Sequence, residues 1–297
     1  MRRVTTVDLM LTTVVLAWAF NLTATRYIVQ HGFNPLAYST VRYGLAILLF
    51  GAITVSWEKT LRIRGGRDLV QVATAAGLLA ANQACFVYAL KFTTATTVAL
   101  ILGSSTIFAA LFGAVAGLER ITSRIVLAGT ASFAGVALVV AGSGGAFSAD
   151  VKGDLLALGM AATWSAYSVA IAPLMRGYSP YRISTIVLLV MWFVVAAISA
   201  PQVASQHWHL SLLVWLALAY AVLVPLVLTN ILWFTAIDRI GPSRASIFAN
   251  LQPFAAAIFS LLLLNEKIHP VQVAGGFAIA IGILLSRGPV SRASRAE

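Results

Sequence analysis

The sequence predicts an all-α integral membrane protein of ten transmembrane helices, arranged as two inverted five-helix repeats. Three observations carry this prediction. The 297 residues are 60% hydrophobic and 10% charged, with a mean hydropathy of +0.91. A soluble domain carries roughly a quarter charged residues, so the expected solvent is lipid. Apolar runs of span length recur along the whole chain, and the two halves resemble each other in order.

The first run covers 7–25, after Arg2 and Arg3. Nine similar runs follow it, so it reads as a span rather than a signal peptide. The turn at Gly32–Pro35 precedes the run at 36–56, and Gly65–Gly66 precedes 69–89. Runs at 95–117 and 124–142 complete the first half, closed by Gly142–Gly145. The second half holds runs at 154–174, 183–201, 212–236, 245–264 and 269–286. Gly177–Pro180, Pro201 and Gly241–Pro242 punctuate them. Each run is about the ~20 residues that a span needs. Helices are expected because a backbone in lipid must satisfy its own hydrogen bonds. The alternating polarity of barrel strands is missing.

Charge sets the orientation. Of 20 Lys and Arg residues, Arg42 lies inside a run. Arg26, Lys91, Lys152 and Lys267 fall on one face, and the other fifteen fall on the opposite face or in the tail. The positive-inside rule puts both termini in the cytoplasm, and an inner (cell) membrane location is expected. The net charge of +11 is thereby explained without nucleic acid. The one cysteine, Cys85, leaves no intramolecular disulfide to form. No metal site or cofactor motif stands out.

The internal repeat is a set of ordered matches. Asp8 pairs with Asp154, Trp18 with Trp164, Gly32 with Gly177 and Pro35 with Pro180. Glu119-Arg120 pairs with Glu266-Lys267, and Gly129 and Gly135 with Gly276 and Gly282. Expected units are 1–145, 146–288 and a polar, basic tail at 289–297. Five spans per unit is an odd number, so the second unit enters the membrane inverted. Inverted repeats of this kind are a transporter signature.

The stretches Ala89-Leu90-Lys91-Phe92-Thr93-Thr94-Ala95, Ala236-Ile237-Asp238-Arg239-Ile240-Gly241-Pro242, Leu251-Gln252-Pro253, Leu264-Asn265-Glu266-Lys267 and Gly275-Gly276 resemble the EamA branch of the drug/metabolite transporter superfamily. The resemblance covers nearly the whole chain. It implies a central cavity lined by spans 1–4 and 6–9, with spans 5 and 10 peripheral, and export of amino acids or related metabolites. The first half departs from the pattern. Gly103-Ser104-Ser105-Thr106 stands where the second half has Asn250-Leu251-Gln252-Pro253, which leaves span 4 without the family's proline kink.

Polar residues within spans are the place to look for function. Trp18 and Asn21 share a face of span 1, Trp164 and Tyr167 a face of span 6. Asn82 and Gln83 lie together on span 3, Asn230 and Trp233 on span 8, and Asn250 and Gln252 on span 9. These residues, with Arg42 of span 2, are the expected substrate-binding set. For each amide the competing role is interhelical bonding. For Arg42 it is snorkelling to the headgroups. Pro225 and Pro253 are the expected hinges. Trp192, Trp208 and Trp215 read as interfacial or lipid-facing.

All nine carboxylates map to span ends, loops or the tail. A proton-coupled exporter of cations would want one at the bilayer centre. The expected activity is therefore facilitated, alternating-access export of small neutral or zwitterionic metabolites by a chain acting as a monomer. A proton-coupled drug antiporter is the nearest alternative. A membrane-embedded enzyme is the alternative from another class, and the lack of a central acid, base or nucleophile cluster argues against it.

Overall fold

The computed structural model describes residues 6–58, 60–117, 123–142, 149–240, 248 and 251–286. Among them all regular structure is helical. The first half holds α1 (Thr6–Gln30), α2 (Pro35–Glu58), α3 (Gly66–Phe92), α4 (Ala95–Leu102), α5 (Ser105–Val115) and α6 (Ser123–Gly142). The second holds α7 (Ala149–Ile171), α8 (Pro180–Ala204), α9 (Leu212–Val222), α10 (Thr229–Ile240), α11 (Gln252–Leu263) and α12 (Pro270–Ser286). A 3-10 turn, Leu174–Arg176, follows α7, and a π-helical segment, Leu223–Leu228, joins α9 to α10.

Local chemistry sets several boundaries. Gly32 takes φ +96° to reverse the chain between α1 and α2. The Thr94, Ser179 and Ser211 hydroxyls each accept the backbone N–H three residues on, capping α4, α8 and α9. Among the described residues six helices are long and apolar enough to cross a membrane: α1, α2, α3, α7, α8 and the run Leu212–Trp233. The α4–α5 pair makes one bent span, and α6, α11 and α12 contribute shorter apolar helices. Together these are the ten expected spans.

The inverted symmetry is visible where α6 crosses α12. A Cβ placed on Gly135 would lie 2.6 Å from the Gly275 carbonyl oxygen and 2.8 Å from Ile279 N. The repeat mates of Gly135, Gly275 and Ile279 are Gly282, Ala128 and Ser132. A Cβ on Gly282 would lie 2.7 Å from the Ala128 oxygen and 3.0 Å from Ser132 N. The same contact is thus made twice, once in each sense, as a pseudo-two-fold axis requires. Only small residues let two helix backbones come this close.

Two expectations need correction. Span 4 lacks a proline, yet it bends by 43° between α4 and the body of α5. The Gly103 and Ser104 N–H groups turn to the Leu100 and Ile101 carbonyls, i−3 bonds that interrupt the α ladder. Trp192 does not face lipid alone. Its Nε1 donates to the Thr40 carbonyl at 2.9 Å, and its ring closes over Gly44, tying α8 to α2.

Candidate functional site

A cavity of about 620 Å³ lies between the two repeats. It is within the 300–1,000 Å³ usual for small-molecule sites. Spans 1–4 and 6–9 all contribute to its wall, and Ile283 of α12 joins them. The cavity starts at the level of Asn21 and Phe86 and extends toward the face that carries Arg176 and Arg182, reaching Ser168, Ser184 and Trp233. Toward the other face the space is filled. Ile28, Leu90, Ala95 and Val98 there are fully buried.

The wall gathers the residues singled out in the sequence. Trp18 and Asn21 come from α1, Arg42 from α2, and Asn82 and Gln83 from α3. Trp164 and Tyr167 come from α7, Asn230 and Trp233 from α10, and Gln252 from α11. Pro225 and Pro253 also line it. Asn250 lies outside the described residues. Sequence reasoning missed Tyr43, Met160 and Ser165 on the same wall. They lack the amide or indole signature that drew attention to the others.

Arg42 does not snorkel. It is 3% exposed. Its Nε donates to the Ala221 carbonyl at 3.1 Å and its Nη2 to Asn21 Oδ1 at 3.1 Å. The guanidinium lies 5.4 Å from the Tyr43 ring centroid and 5.8 Å from that of Tyr38, within cation–π range. The Ala221 carbonyl is open to a side chain for a sequence reason. Its i+4 residue is Pro225, which has no N–H to offer.

The amides divide by how far they are used. Asn82 Nδ2 donates to the Met160 carbonyl at 2.8 Å, so its oxygen faces Gln83, whose Nε2 donates to it at 3.4 Å. That chain fixes Gln83 with Oε1 turned away. Oε1 is buried and has no partner among the described residues. An unsatisfied buried acceptor costs about 1–3 kcal/mol. Asn230 Nδ2 is spent on the Leu226 carbonyl at 2.7 Å. Trp18 Nε1 donates to Thr229 Oγ1 at 2.8 Å, and its ring sits 5.3 Å from that of Trp233. Trp164 stays 44% exposed, 5.5 Å from the Tyr167 ring.

Beyond the closed end of the cavity lies a polar seal that the sequence did not reveal. Glu266 accepts from Ala95 N and Thr96 N at 2.9 Å each, and from Thr96 Oγ1 at 2.7 Å. It therefore sits on the N-terminus of α4, where a helix favours negative charge. Arg26 Nε stands 2.8 Å from the same carboxylate, and Arg26 Nη1 donates to the Leu90 and Thr93 carbonyls. The seal joins the two repeats. Glu266 belongs to the second, and its partners belong to the first. Nearby, Gln272 Nε2 donates to Thr97 Oγ1 at 3.0 Å, and Thr93 Oγ1 donates to Asp154 at 2.7 Å.

Comparison with known proteins agrees with this architecture. Residues 5–141 and 151–288 each match the EamA-like transporter family. The uncharacterized transporter YyaM of Bacillus subtilis is 26% identical over 279 residues, covering 91% of this chain and 89% of its own. An uncharacterized transporter of Archaeoglobus fulgidus is 25% identical over 265 residues, covering 85% and 88%. A solved crystal structure superposes with a TM-score of 0.66 at 19% identity, over 96% of this chain and 97% of that one.

Proposed function

The chain belongs to the EamA-like transporter family, and we propose that it exports amino acids or similar small neutral or zwitterionic metabolites across the inner membrane by alternating access. In this reading both termini and the basic loops are cytoplasmic, and the cavity faces inward in the conformation described. The chain works as a monomeric carrier, not as an enzyme. Each half is one five-helix unit, divided near residue 145, and the two units rock about the cavity. Pro225 and Pro253 are the bending points.

The observation that carries the reading is the make-up of the cavity wall. Amide, hydroxyl, phenol and indole groups share it with one cation, and no carboxylate or histidine is among its described residues. A solute with both charges, or with none, fits such a wall without importing an unbalanced charge. The absence of a carboxylate to carry a proton supports facilitated diffusion, driven by the cytoplasmic excess of solute. Trp18, Asn21, Arg42, Asn82, Gln83, Trp164, Tyr167, Asn230, Trp233, Asn250 and Gln252 are the proposed contacts.

The test is transport by the purified protein in liposomes, with labelled threonine, methionine, phenylalanine, glutamate, lysine and a cationic dye offered separately. The reading expects the neutral amino acids to move fastest and the dye not to move. Movement of the dye alone would refute it in favour of a drug antiporter.

A further inference from the structure

Arg42 is a buried cation without a counter-ion among the described residues. It is 3% exposed, and no carboxylate among the described residues pairs with it. Its two protein hydrogen bonds, to Ala221 O and Asn21 Oδ1, use two of five guanidinium N–H donors. The acceptors are neutral, so they aim the group without balancing its charge. A full positive charge held in a membrane interior calls for an anion. On the same wall, the Gln83 oxygen is a buried acceptor with no donor among the described residues. Among its described residues the wall thus presents one uncompensated cation and one unused hydrogen-bond acceptor.

Building on the proposed export of amino acids, we infer that Arg42 is the receptor for a substrate carboxylate, with Gln83 Oε1 accepting from the substrate's ammonium, so that the free carboxylate determines which solutes are carried. The charge count favours a monoanionic group. A phosphate dianion would need a second cation, and Arg42 is the only charged residue on the described wall. Asn21 is the positioning residue. It holds Nη2 and leaves the other terminal nitrogen to the ligand. The Ala221 bond ties the receptor to the π-helical segment around Pro225, so an anion that pulls on Arg42 also pulls on a bending point of span 8.

The experiment measures competition and binding together. Proteoliposomes take up labelled methionine while unlabelled methionine, methioninamide or N-acetylmethionine competes, and the same compounds are tested for thermal stabilisation of the detergent-purified protein. Methioninamide, which lacks the carboxylate, should compete at least about tenfold more weakly than methionine, the usual worth of a charge-assisted bond. N-acetylmethionine, which keeps the carboxylate but not the ammonium, should still stabilise the wild type. Arg42→Gln should abolish the preference for methionine over its amide, and Arg42→Lys should keep part of it. Asn21→Ala leaves the charge in place and should weaken methionine by about tenfold.

Equal competition by methionine and methioninamide, or a preference unchanged in Arg42→Gln, overturns the inference while leaving amino-acid transport standing. Failure of the wild type to move any amino acid, with N-acetylmethionine still stabilising it through Arg42, refutes the proposed function and keeps the carboxylate site.

Discussion

Replacing Glu266 by Gln should unlock the seal at the closed end of the cavity. The carboxylate takes three hydrogen bonds at 2.7–2.9 Å and the Arg26 ion pair at 2.8 Å. Both side chains are largely shielded, at 13% exposure for Arg26 and 6% for Glu266, so water screens the pair little. Gln keeps the shape but not the charge. One of its two terminal groups is an NH2 that must face backbone N–H or hydroxyl donors on α4. Hydrogen bonds to charged groups are worth about 1.5–3 kcal/mol against about 1 for neutral ones. The substitution should therefore remove about 3 kcal/mol from the closed arrangement. If the repeats separate here when the transporter opens to this face, that loss raises the open fraction on the order of 100-fold. The assay is labelling by a membrane-impermeant maleimide, added from this face, of a cysteine at Leu22 in a Cys85→Ala background. Leu22 lines the cavity and is 3% exposed. Labelling should be slow with Glu266 present and at least about tenfold faster with Gln. Thr96→Val, which removes one of the bonds to the charged carboxylate, should give an increase on the order of tenfold, below the full effect on the open fraction. Unchanged labelling in a folded Glu266→Gln protein would refute the reasoning, because the seal would not be holding the closed state.

Three further outcomes follow from particular contacts. Gly135→Leu should lower the thermal midpoint in detergent, corresponding to a loss of about 1–3 kcal/mol. Its Cβ alone would meet the Gly275 oxygen at 2.6 Å, whereas the same substitution at Gly77, where a Cβ meets nothing within 4 Å, should be near neutral. Pro225→Ala restores an N–H that competes with Arg42 for the Ala221 carbonyl. Methionine transport should slow severalfold, at about 1 kcal/mol for the contested bond, while the thermal midpoint holds or rises. Thr229→Val takes from Trp18 Nε1 its 2.8 Å partner and leaves it the longer bond to the Pro225 carbonyl at 3.4 Å. It should weaken substrate binding more than it lowers stability, read by comparing apparent affinity with the thermal midpoint.

The sequence made the architecture legible because composition and the repeat act over many residues at once. Ten apolar runs with one-sided basic loops leave little choice of fold, and the Gly135 and Gly282 match marked a repeat whose mates the structure brings together in a crossing made twice. The cavity wall was legible for a related reason. A polar side chain in lipid is costly enough to be placed deliberately, so Asn21, Arg42, Gln83 and Asn230 drew attention by type alone. What the sequence did not carry depends on long-range geometry. The seal pairs Glu266 with Arg26 and with the start of α4, some 170 to 240 residues away. The chain shows only a Glu-Lys pair and a run of threonines. The bend in span 4 is made by Gly103 and Ser104 without a proline, so a rule keyed to proline misses it. Trp192 has the type of an interfacial residue, but Gly44 opposite it makes room for the ring. The role of Ala221 needed both Pro225 on its own helix and Arg42 on another.

The most direct test of the account as a whole is the steady-state distribution of labelled methionine across proteoliposomes, with and without an imposed pH gradient. A carrier with no carboxylate or histidine among the described residues of its cavity wall should bring inside and outside concentrations to equality in both cases, at similar rates. Accumulation beyond equality that follows the pH gradient and collapses with it would contradict the account, because a proton would then be moving with the solute.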